Sequence, residues 1–456
     1  MTATTPPTGP AGHTVPGRPP TTPGAIARLA ATARDPLMLN SFFLIATTAL
    51  GAGAGFLFWI LVARLFPASD VGRASSLLSS ASLLSYFSLF GLSSTLVRHL
   101  PTSTRQAEET STAISTVVLA ACVISGGFVV VVPWAAPQLD FLHASPLHAV
   151  GFVVLAAGAA VNLLTDSVFV AFRAAKVNLA VNGGLMSVVK LGMPVLFVGL
   201  GPFGIFAASG VASAVAATAS VVAIRRVLRV RVRPSFSWRT FRSTLGYSLS
   251  SYLSGSLNLI PQIVLPIVVL QTLGPVPAAT YFVAFQIANL VNSASYAIGE
   301  ALFAEGSQQG AQLGPIARRS AKAIFAVTVP AVVLVVALAG PVLRLFGPEY
   351  ATDGRQTLTV FTVGALAVAF NTWASFLLKV TRQLVAMVVS NLVLVVVMLV
   401  IALARLDHGL EWAGIAWGVG NLASGAVAGL GLLWSGMREP YKGRHRRHKR
   451  KGGGSS

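Results

Sequence analysis

The chain contains twelve apolar segments that are each long enough to cross a lipid bilayer. A transmembrane helix needs about 20 consecutive, mostly apolar residues, and helices satisfy their own backbone hydrogen bonds in lipid. Of the 456 residues, 54% are hydrophobic and only 10% are charged, whereas about 25% of the residues of a soluble domain are charged. The sequence therefore predicts an all-α polytopic membrane protein with spans at about 40–63, 74–97, 111–133, 148–172, 177–200, 203–224, 245–271, 278–303, 320–343, 356–378, 384–404 and 410–435.

The positive charges alternate between the two sides of these spans. Of the 33 Lys and Arg residues, 27 lie in the termini and in one set of loops, and Lys190 alone lies inside a span. Because cytoplasmic loops carry the excess of Lys and Arg, both termini are predicted to be cytoplasmic. The net charge of +20 is then a topology signal, and no nucleic-acid partner is expected. The opposite side holds five arginines: Arg64, Arg73, Arg344, Arg355 and Arg405.

The two halves of the chain resemble each other. Pro67 and Pro275, Asn162 and Asn371, and the pairs Arg173/Lys176 and Lys379/Arg382 recur in the same order at offsets of about 204–209. Six plus six spans predict two lobes in a parallel pseudo-twofold repeat around a central cavity. The predicted domains are a disordered cytoplasmic tail (1–37), an N-lobe (38–224), a basic inter-lobe loop (225–244), a C-lobe (245–435) and a basic cytoplasmic tail (436–456).

Several spans carry polar residues at helical spacing. Such faces turn toward neighbouring helices or a water-filled cavity, because lipid cannot satisfy them. They are either interhelical contacts or the lining of a cavity that binds substrate, and two carboxylates, Asp166 and Glu300, are candidates for ion coupling. The candidate lining residues are Asn178, Asn182 and Ser187 in the fifth span, Tyr247, Asn258 and Gln262 in the seventh, and Gln286, Asn289 and Tyr296 in the eighth.

Lys190 lies near the middle of the fifth span. It is about 13 residues from Val177 and 10 from Leu200, or about 20 and 15 Å in a helix, so neither interface is within easy reach. A charge at this depth costs roughly 2.5–3.5 kcal/mol or more. Lys190 therefore either meets an anionic substrate in a cavity, pairs with Asp166 on the neighbouring span, or is deprotonated or snorkelled.

No motif for catalysis, nucleotide hydrolysis or metal binding is present. The chain lacks the P-loop, HExxH and CxxC patterns, and Cys122 is its only cysteine. The acidic residues of the exterior loops are scattered, unlike the paired carboxylates of an enzyme site. We therefore expect neither an enzyme nor a cofactor, and no metal.

The first two spans resemble a known family of lipid flippases. The stretch "NSFFLIATTALGAGAGFLFWILVARLFPASDVGRASSLLSSASLLSYFSLFGLSSTLVRHLP" (40–101) is similar to the amino-terminal module of the O-antigen and related polysaccharide flippases. These belong to the multidrug/oligosaccharidyl-lipid/polysaccharide (MOP) exporter superfamily. The resemblance implies a two-lobed, alternating-access flippase for undecaprenyl-pyrophosphate-linked oligosaccharide, working among membrane lipids and alongside a polysaccharide polymerase or ligase.

The resemblance also bears on the site residues and on the rival functions. Lys190 is the first candidate for the diphosphate contact, and Arg64 is the second, unless it only sets topology. The peptidoglycan-precursor flippases usually have fourteen spans and several arginines in the N-lobe, which disfavours that substrate. A cation-coupled multidrug antiporter would typically carry a carboxylate in its first span, and this one has none. The other alternative is a non-transporting scaffold for polysaccharide-assembly enzymes.

Overall fold

In the computed structural model, residues 36–235, 261–307 and 312–434 are described, and they fold into helices without a strand. The N-terminal part contains α1 to α7, and the C-terminal part contains α8 to α14. Short 3₁₀ turns and loops join them. The bounds are α1 Pro36–Leu65, α2 Ala68–Ser88, α3 Leu92–His99, α4 Gln106–Ala135, α5 Pro146–Ala171, α6 Ala175–Leu196, α7 Gly201–Arg226, α8 Pro261–Leu273, α9 Pro275–Gly306, α10 Leu313–Ala337, α11 Ala339–Arg344, α12 Pro348–Val380, α13 Leu384–Arg405 and α14 Glu411–Trp434.

Nine helices in the described residues are long and apolar enough to cross a membrane. A tenth span is formed if α2 and the segment Leu92–Thr102, bent by 50° relative to each other, are taken together. The predicted span 278–303 falls in α9, which has 32 residues but is not among the nine. Most of the predicted span 245–271 and both predicted tails lie outside the described residues. The prediction of an all-α polytopic membrane protein is confirmed.

The two halves repeat the same local turns at nearly constant spacing. The chain leaves α5 at Arg173 and α12 at Arg382, 209 residues later, with left-handed φ angles of 54° and 57°. In both turns the amide of the next residue donates to the carbonyl oxygen five residues earlier: Ala174 N to Phe169 O, and Gln383 N to Leu378 O. The 3₁₀ turns Val198–Leu200 and Leu406–His408 recur 208 residues apart. These turns support the predicted internal repeat.

The helices pack as two bundles with matching contacts. In the first bundle α5 packs against α4 and α7, and α6 packs against α7 and α1. In the second bundle α12 packs against α10 and α14, and α13 packs against α14. The contacts of α5, α6 and α7 thus correspond to those of α12, α13 and α14. The two bundles meet mainly where α2 lies against α9.

The bundles share one hydrophobic core at one end and have separate cores at the other. We call the end where α1 finishes and α2 begins the closed end. There a single buried cluster draws residues from both bundles, including Phe58, Trp59, Phe282 and Phe346. At the opposite end, where α5 and α12 finish, one cluster belongs to the first bundle and another to the second. The described parts of the bundles therefore diverge toward this open end.

Candidate functional site

Lys190 lies beside the place where the two bundles meet. It is partly buried on α6, and its ammonium nitrogen lies 5.1 Å from the centroid of the Phe58 ring on α1. A cation held over an aromatic face is stabilised by about 0.5–2 kcal/mol, more when it is shielded from water. No carboxylate of the described residues lies within ion-pair distance of Lys190. The ammonium therefore keeps its capacity to meet an anion.

Three aromatic rings connect this lysine to the second bundle. Phe58 contacts Trp59, with ring centroids 5.3 Å apart, and Trp59 contacts Phe282 of α9 at 4.2 Å. Phe58 and Trp59 are 0% and 6% exposed, so these rings lie in the buried core that the two bundles share, and we call them the aromatic seal. Of the two cations on α6, Lys190 is the one that contacts these rings.

Asp166 has partners other than Lys190. The side-chain amide of Asn178 donates to its carboxylate at 2.5 Å, and Asn182 donates to Asn178 at 2.6 Å. Asn182 also lies within hydrogen-bonding reach of Asp166. Asp166, Asn178 and Asn182 thus form a polar cluster between α5 and α6. The alternative of an Asp166–Lys190 ion pair does not occur in this structure.

A π-helical turn explains why the predicted polar face of α6 is divided. Residues Leu179–Leu185, which include Gly183 and Gly184, form the turn. An added residue rotates the following side chains by about 100°, since a regular helix has 3.6 residues per turn. Asn178 and Asn182 therefore face α5, whereas Lys190 faces α1. Ser187 is partly buried just beyond the turn.

Arg64 lies at the closed end and bridges the two bundles. Its guanidinium donates to the carbonyl oxygens of Leu345 at 2.9 Å and Arg344 at 2.5 Å. These oxygens belong to the C-terminal end of α11, where the helix dipole favours a positive charge. Although the Arg64 side chain is exposed, its Nε and one of its Nη atoms donate to the other bundle. Arg64 on α1 therefore links the first bundle to the second through these two hydrogen bonds.

We expect Arg64→Ala to loosen the closed end. Hydrogen bonds to charged groups contribute about 1.5–3 kcal/mol when shielded and less when exposed, so we expect a rise of about threefold to tenfold in opening. The measurement is the labelling rate of a cysteine placed at the buried Ala278 (1% exposed) by a membrane-impermeant maleimide, in a Cys122→Ser background.

Arg405→Ala is the matched control, because Arg405 contacts Trp412 within its own bundle. Arg64→Lys keeps the charge and should fall between wild type and Arg64→Ala. Equal labelling in the Arg64→Ala and Arg405→Ala proteins would show that Arg64 does not hold the bundles together.

The polar residues of α9 change their surroundings along the helix. From Ala278 to Ala288 almost every side chain is buried, whereas Tyr296 is 41% exposed and Glu300 is exposed. Gln286 and Asn289 are partly buried between these regions, as is Gln262 on α8. The exposed part lies toward the open end, where Tyr296 interacts with Thr372 and Glu300 with Lys379, both on α12. The candidates Tyr247 and Asn258 lie outside the described residues.

Some polar residues that matter for packing were missed by sequence reasoning. In the second bundle, Asn371 donates to Asn421 at 3.0 Å and accepts a bond from Ser424 at 3.0 Å. All three are at most 7% exposed, and they hold α12 to α14. Phe58 and Trp59 were also missed, since an aromatic residue in an apolar span gives no signal of its partner.

Comparisons with known proteins place this fold. A sequence profile of the family described as polysaccharide biosynthesis protein matches residues 61–352. No curated protein sequence matches the chain significantly. Among solved structures, the lipid II flippase MurJ in an inward closed conformation aligns with a TM-score of 0.65 and 13% identity, over 87% of each chain.

Two further solved structures share the fold. An inward-facing multidrug resistance MATE family transporter of the MOP superfamily aligns with a TM-score of 0.63 and 18% identity, over 87% of this chain and 98% of that one. A MOP superfamily transporter from Pyrococcus furiosus aligns with a TM-score of 0.59 and 17% identity, over 87% and 94%. The chain belongs to the polysaccharide biosynthesis protein family, and it is a multi-pass membrane protein that shares the fold of these solved transporter and flippase structures.

Proposed function

We propose that this protein flips a polyprenyl-diphosphate-linked oligosaccharide from the cytoplasmic to the outer leaflet of a bacterial inner membrane. The observation that carries the proposal is Lys190, a cation without a carboxylate partner beneath the aromatic seal between two diverging bundles. Charge-assisted bonds to phosphate are strong, and a buried lysine gains most from an anionic ligand. The matched family profile supports a saccharide as the cargo.

The open end is the cytoplasmic end in this proposal. It receives the loops richest in Lys and Arg, which favours the cytoplasm. The lipid headgroup would enter between the bundles past Tyr296 and Glu300, and its diphosphate would reach Lys190. The hydrogen-bonding groups of Gln262, Gln286 and Asn289 would then meet the sugar. Closure at this end and opening at the other would release the headgroup outside, where a polymerase or ligase would take the product.

A multidrug antiporter is the second candidate, because an inward-facing multidrug resistance transporter has a similar fold. Against it stands α1, which carries no Asp or Glu from Pro36 to Leu65. A scaffold for polysaccharide-assembly enzymes is the third candidate. It gives no reason for a lysine at membrane depth.

The test is deletion of the gene in its host, with extraction and mass spectrometry of lipid-linked saccharides. The flippase predicts loss of one surface polysaccharide and accumulation of its diphosphate-linked precursor in the inner leaflet, with drug sensitivity unchanged. Increased drug sensitivity with normal polysaccharide would favour the antiporter. Full rescue by a Lys190→Leu protein would favour the scaffold.

Asp166 is the better of the two carboxylates for ion coupling. It is held by Asn178 and Asn182 inside the first bundle, whereas Glu300 is exposed. Loss or gain of a proton or cation at Asp166 would change the contact between α5 and the π-helical turn of α6. A shift of α6 at this turn would also move Lys190, because Asn178, Asn182 and Lys190 lie on the same helix. Glu300 instead interacts electrostatically with Lys379 on α12 of the second bundle.

We expect Asp166→Asn to reduce transport by about tenfold or more while leaving the thermal unfolding midpoint nearly unchanged. Asparagine keeps the size and the acceptor oxygen but cannot titrate or balance a cation. The measurement is flipping in proteoliposomes with and without a proton or sodium gradient. Glu300→Gln removes the same charge and should retain most activity. A larger loss in Glu300→Gln than in Asp166→Asn would contradict this assignment.

A further inference from the structure

The segment that follows α7 is a strap fixed to the open end of the first bundle. After Arg226 the chain turns at Arg229, whose φ is 56°, and runs without helical structure along α4. The Arg233 amide donates to the Ser111 hydroxyl oxygen at 3.1 Å, and the Ser235 amide donates to Ser115 at 3.3 Å. The Ser111 hydroxyl donates to the Ala107 carbonyl oxygen at 2.6 Å, and its oxygen lies 3.4 Å from the Arg231 carbonyl oxygen.

Residues alternate along this strap between the core and the surface. Val230 and Val232 are 6% and 8% exposed and join the core of the first bundle. Arg229, Arg231 and Arg233 are exposed. In extended backbone, every second side chain points to the same face, with a spacing of about 6.6 Å. We name residues 229–233 the arginine strap, because Arg231 and Arg233 alternate with the two buried valines and Arg229 lies exposed at the turn that begins it.

Within 36–235, 261–307 and 312–434, no carboxylate neutralises the arginine strap. No Asp or Glu of the described residues forms an ion pair with its three arginines. The nearby Glu109 of α4 accepts a hydrogen bond from Ser103 at 2.7 Å. Arg225 and Arg226 at the end of α7 are exposed as well. The strap is therefore a dense positive surface with all its guanidinium groups available.

The depth of the arginine strap points to the lipid headgroups. Its anchor Ser115 lies on α4 only three residues, or about 4.5 Å, before Val118 and Leu119. These are 39% and 64% exposed and begin the apolar surface of that helix. A strap at this level faces the layer where lipid phosphates lie. It is also away from the space between the bundles, because α4 packs against α2, α3 and α5 of its own bundle.

We propose that the arginine strap binds the phosphate groups of anionic membrane lipids at the open end. Guanidinium groups bind phosphate oxygens in a bidentate manner, and three within five residues of chain can hold more than one headgroup. This site is separate from the proposed substrate groove and does not depend on it. Because the strap begins the connection between the two bundles, bound lipid would fix the start of that connection to the membrane surface.

The test compares two charge-matched variants of the full chain in neutral detergent. One carries Arg229→Gln, Arg231→Gln and Arg233→Gln. The other carries Arg318→Gln, Arg319→Gln and Lys322→Gln on α10, three exposed cations also predicted to lie on the cytoplasmic side. Native mass spectrometry measures the binding of added phosphatidylglycerol and phosphatidylcholine. We expect wild type to prefer phosphatidylglycerol, the strap variant to lose that affinity at least tenfold, and the α10 variant to lose less than twofold.

Two outcomes would overturn the proposal. Equal losses in both variants would show that the cations act only through general charge. Strap-dependent binding of submillimolar inorganic pyrophosphate, with no preference for phosphatidylglycerol over phosphatidylcholine, would assign the strap to a soluble anion instead. A variant with lysine at all three strap positions guards against misfolding, since it keeps the charge. Its unfolding midpoint should match wild type, and it should retain the lipid preference with reduced affinity.

Discussion

Replacement of Lys190 by leucine is expected to abolish export of the lipid-linked saccharide. Leucine fits beside Phe58 and removes the one cation beneath the aromatic seal on α6. A hydrogen bond to a charged group contributes about 1.5–3 kcal/mol, which corresponds to about 10-fold to 100-fold weaker binding of a diphosphate. The measurement is mass spectrometry of lipids bound to the purified protein, together with flipping in proteoliposomes.

Two further variants separate charge from packing at this position. Lys190→Arg keeps the charge and should retain part of the binding. Phe58→Leu removes the ring but leaves the ammonium, so it should weaken binding less than Lys190→Leu does. If Lys190→Leu binds and flips the saccharide lipid like wild type, with an unchanged unfolding midpoint, the diphosphate contact lies elsewhere.

Replacement of Gly72 by alanine is expected to prevent α2 and α9 from packing together at the closed end. A Cβ atom at Gly72 would lie 1.8 Å from the Pro275 carbonyl oxygen and 2.9 Å from the Ala279 nitrogen. Both are backbone atoms of α9, so the clash can be relieved only if α2 and α9 move apart. We expect transport to fall more than tenfold and a cysteine at Ala278, in the Cys122→Ser background, to label much faster.

Gly126→Ala is the matched control for this substitution. Gly126 lies inside α4, and a Cβ atom there meets nothing within 4 Å. Alanine should be tolerated at this position or stabilise α4 by about 0.5–1 kcal/mol. Wild-type transport by Gly72→Ala would mean that the tight contact between α2 and α9 is not needed in the transport cycle.

The sequence predicted the helices better than it predicted the contacts between them. The predicted span 384–404 corresponds to α13, Leu384–Arg405, because a bilayer requires long apolar segments whatever their partners. The recurrence of basic pairs predicted the repeat, and the matched left-handed turns at Arg173 and Arg382 support it. Local pattern was sufficient in both cases.

The candidate site depended on contacts that sequence pattern does not encode. Phe58 is far from Lys190 in the chain, and nothing in either span identifies the other as its partner. Helical spacing placed Asn178 and Lys190 on one face, but the π-helical turn at Leu179–Leu185 separates them. The charge pattern indicated that Arg64 sets topology, and the resemblance indicated a phosphate contact. In the structure its hydrogen bonds go to carbonyl oxygens of the other bundle.

The close contact between Gly72 and Pro275 can also act as a pivot for rotation of one bundle relative to the other. It places the two bundles in nearly backbone contact at one end of a structure that spans about 30 Å of hydrocarbon. A rotation of about 10° around such a fulcrum moves the far end by roughly 5 Å, while atoms near the fulcrum shift by less than about 1 Å. Small side chains near this contact can therefore control how wide the space between the bundles is at the open end. The closeness of the contact sets how far the bundles separate there.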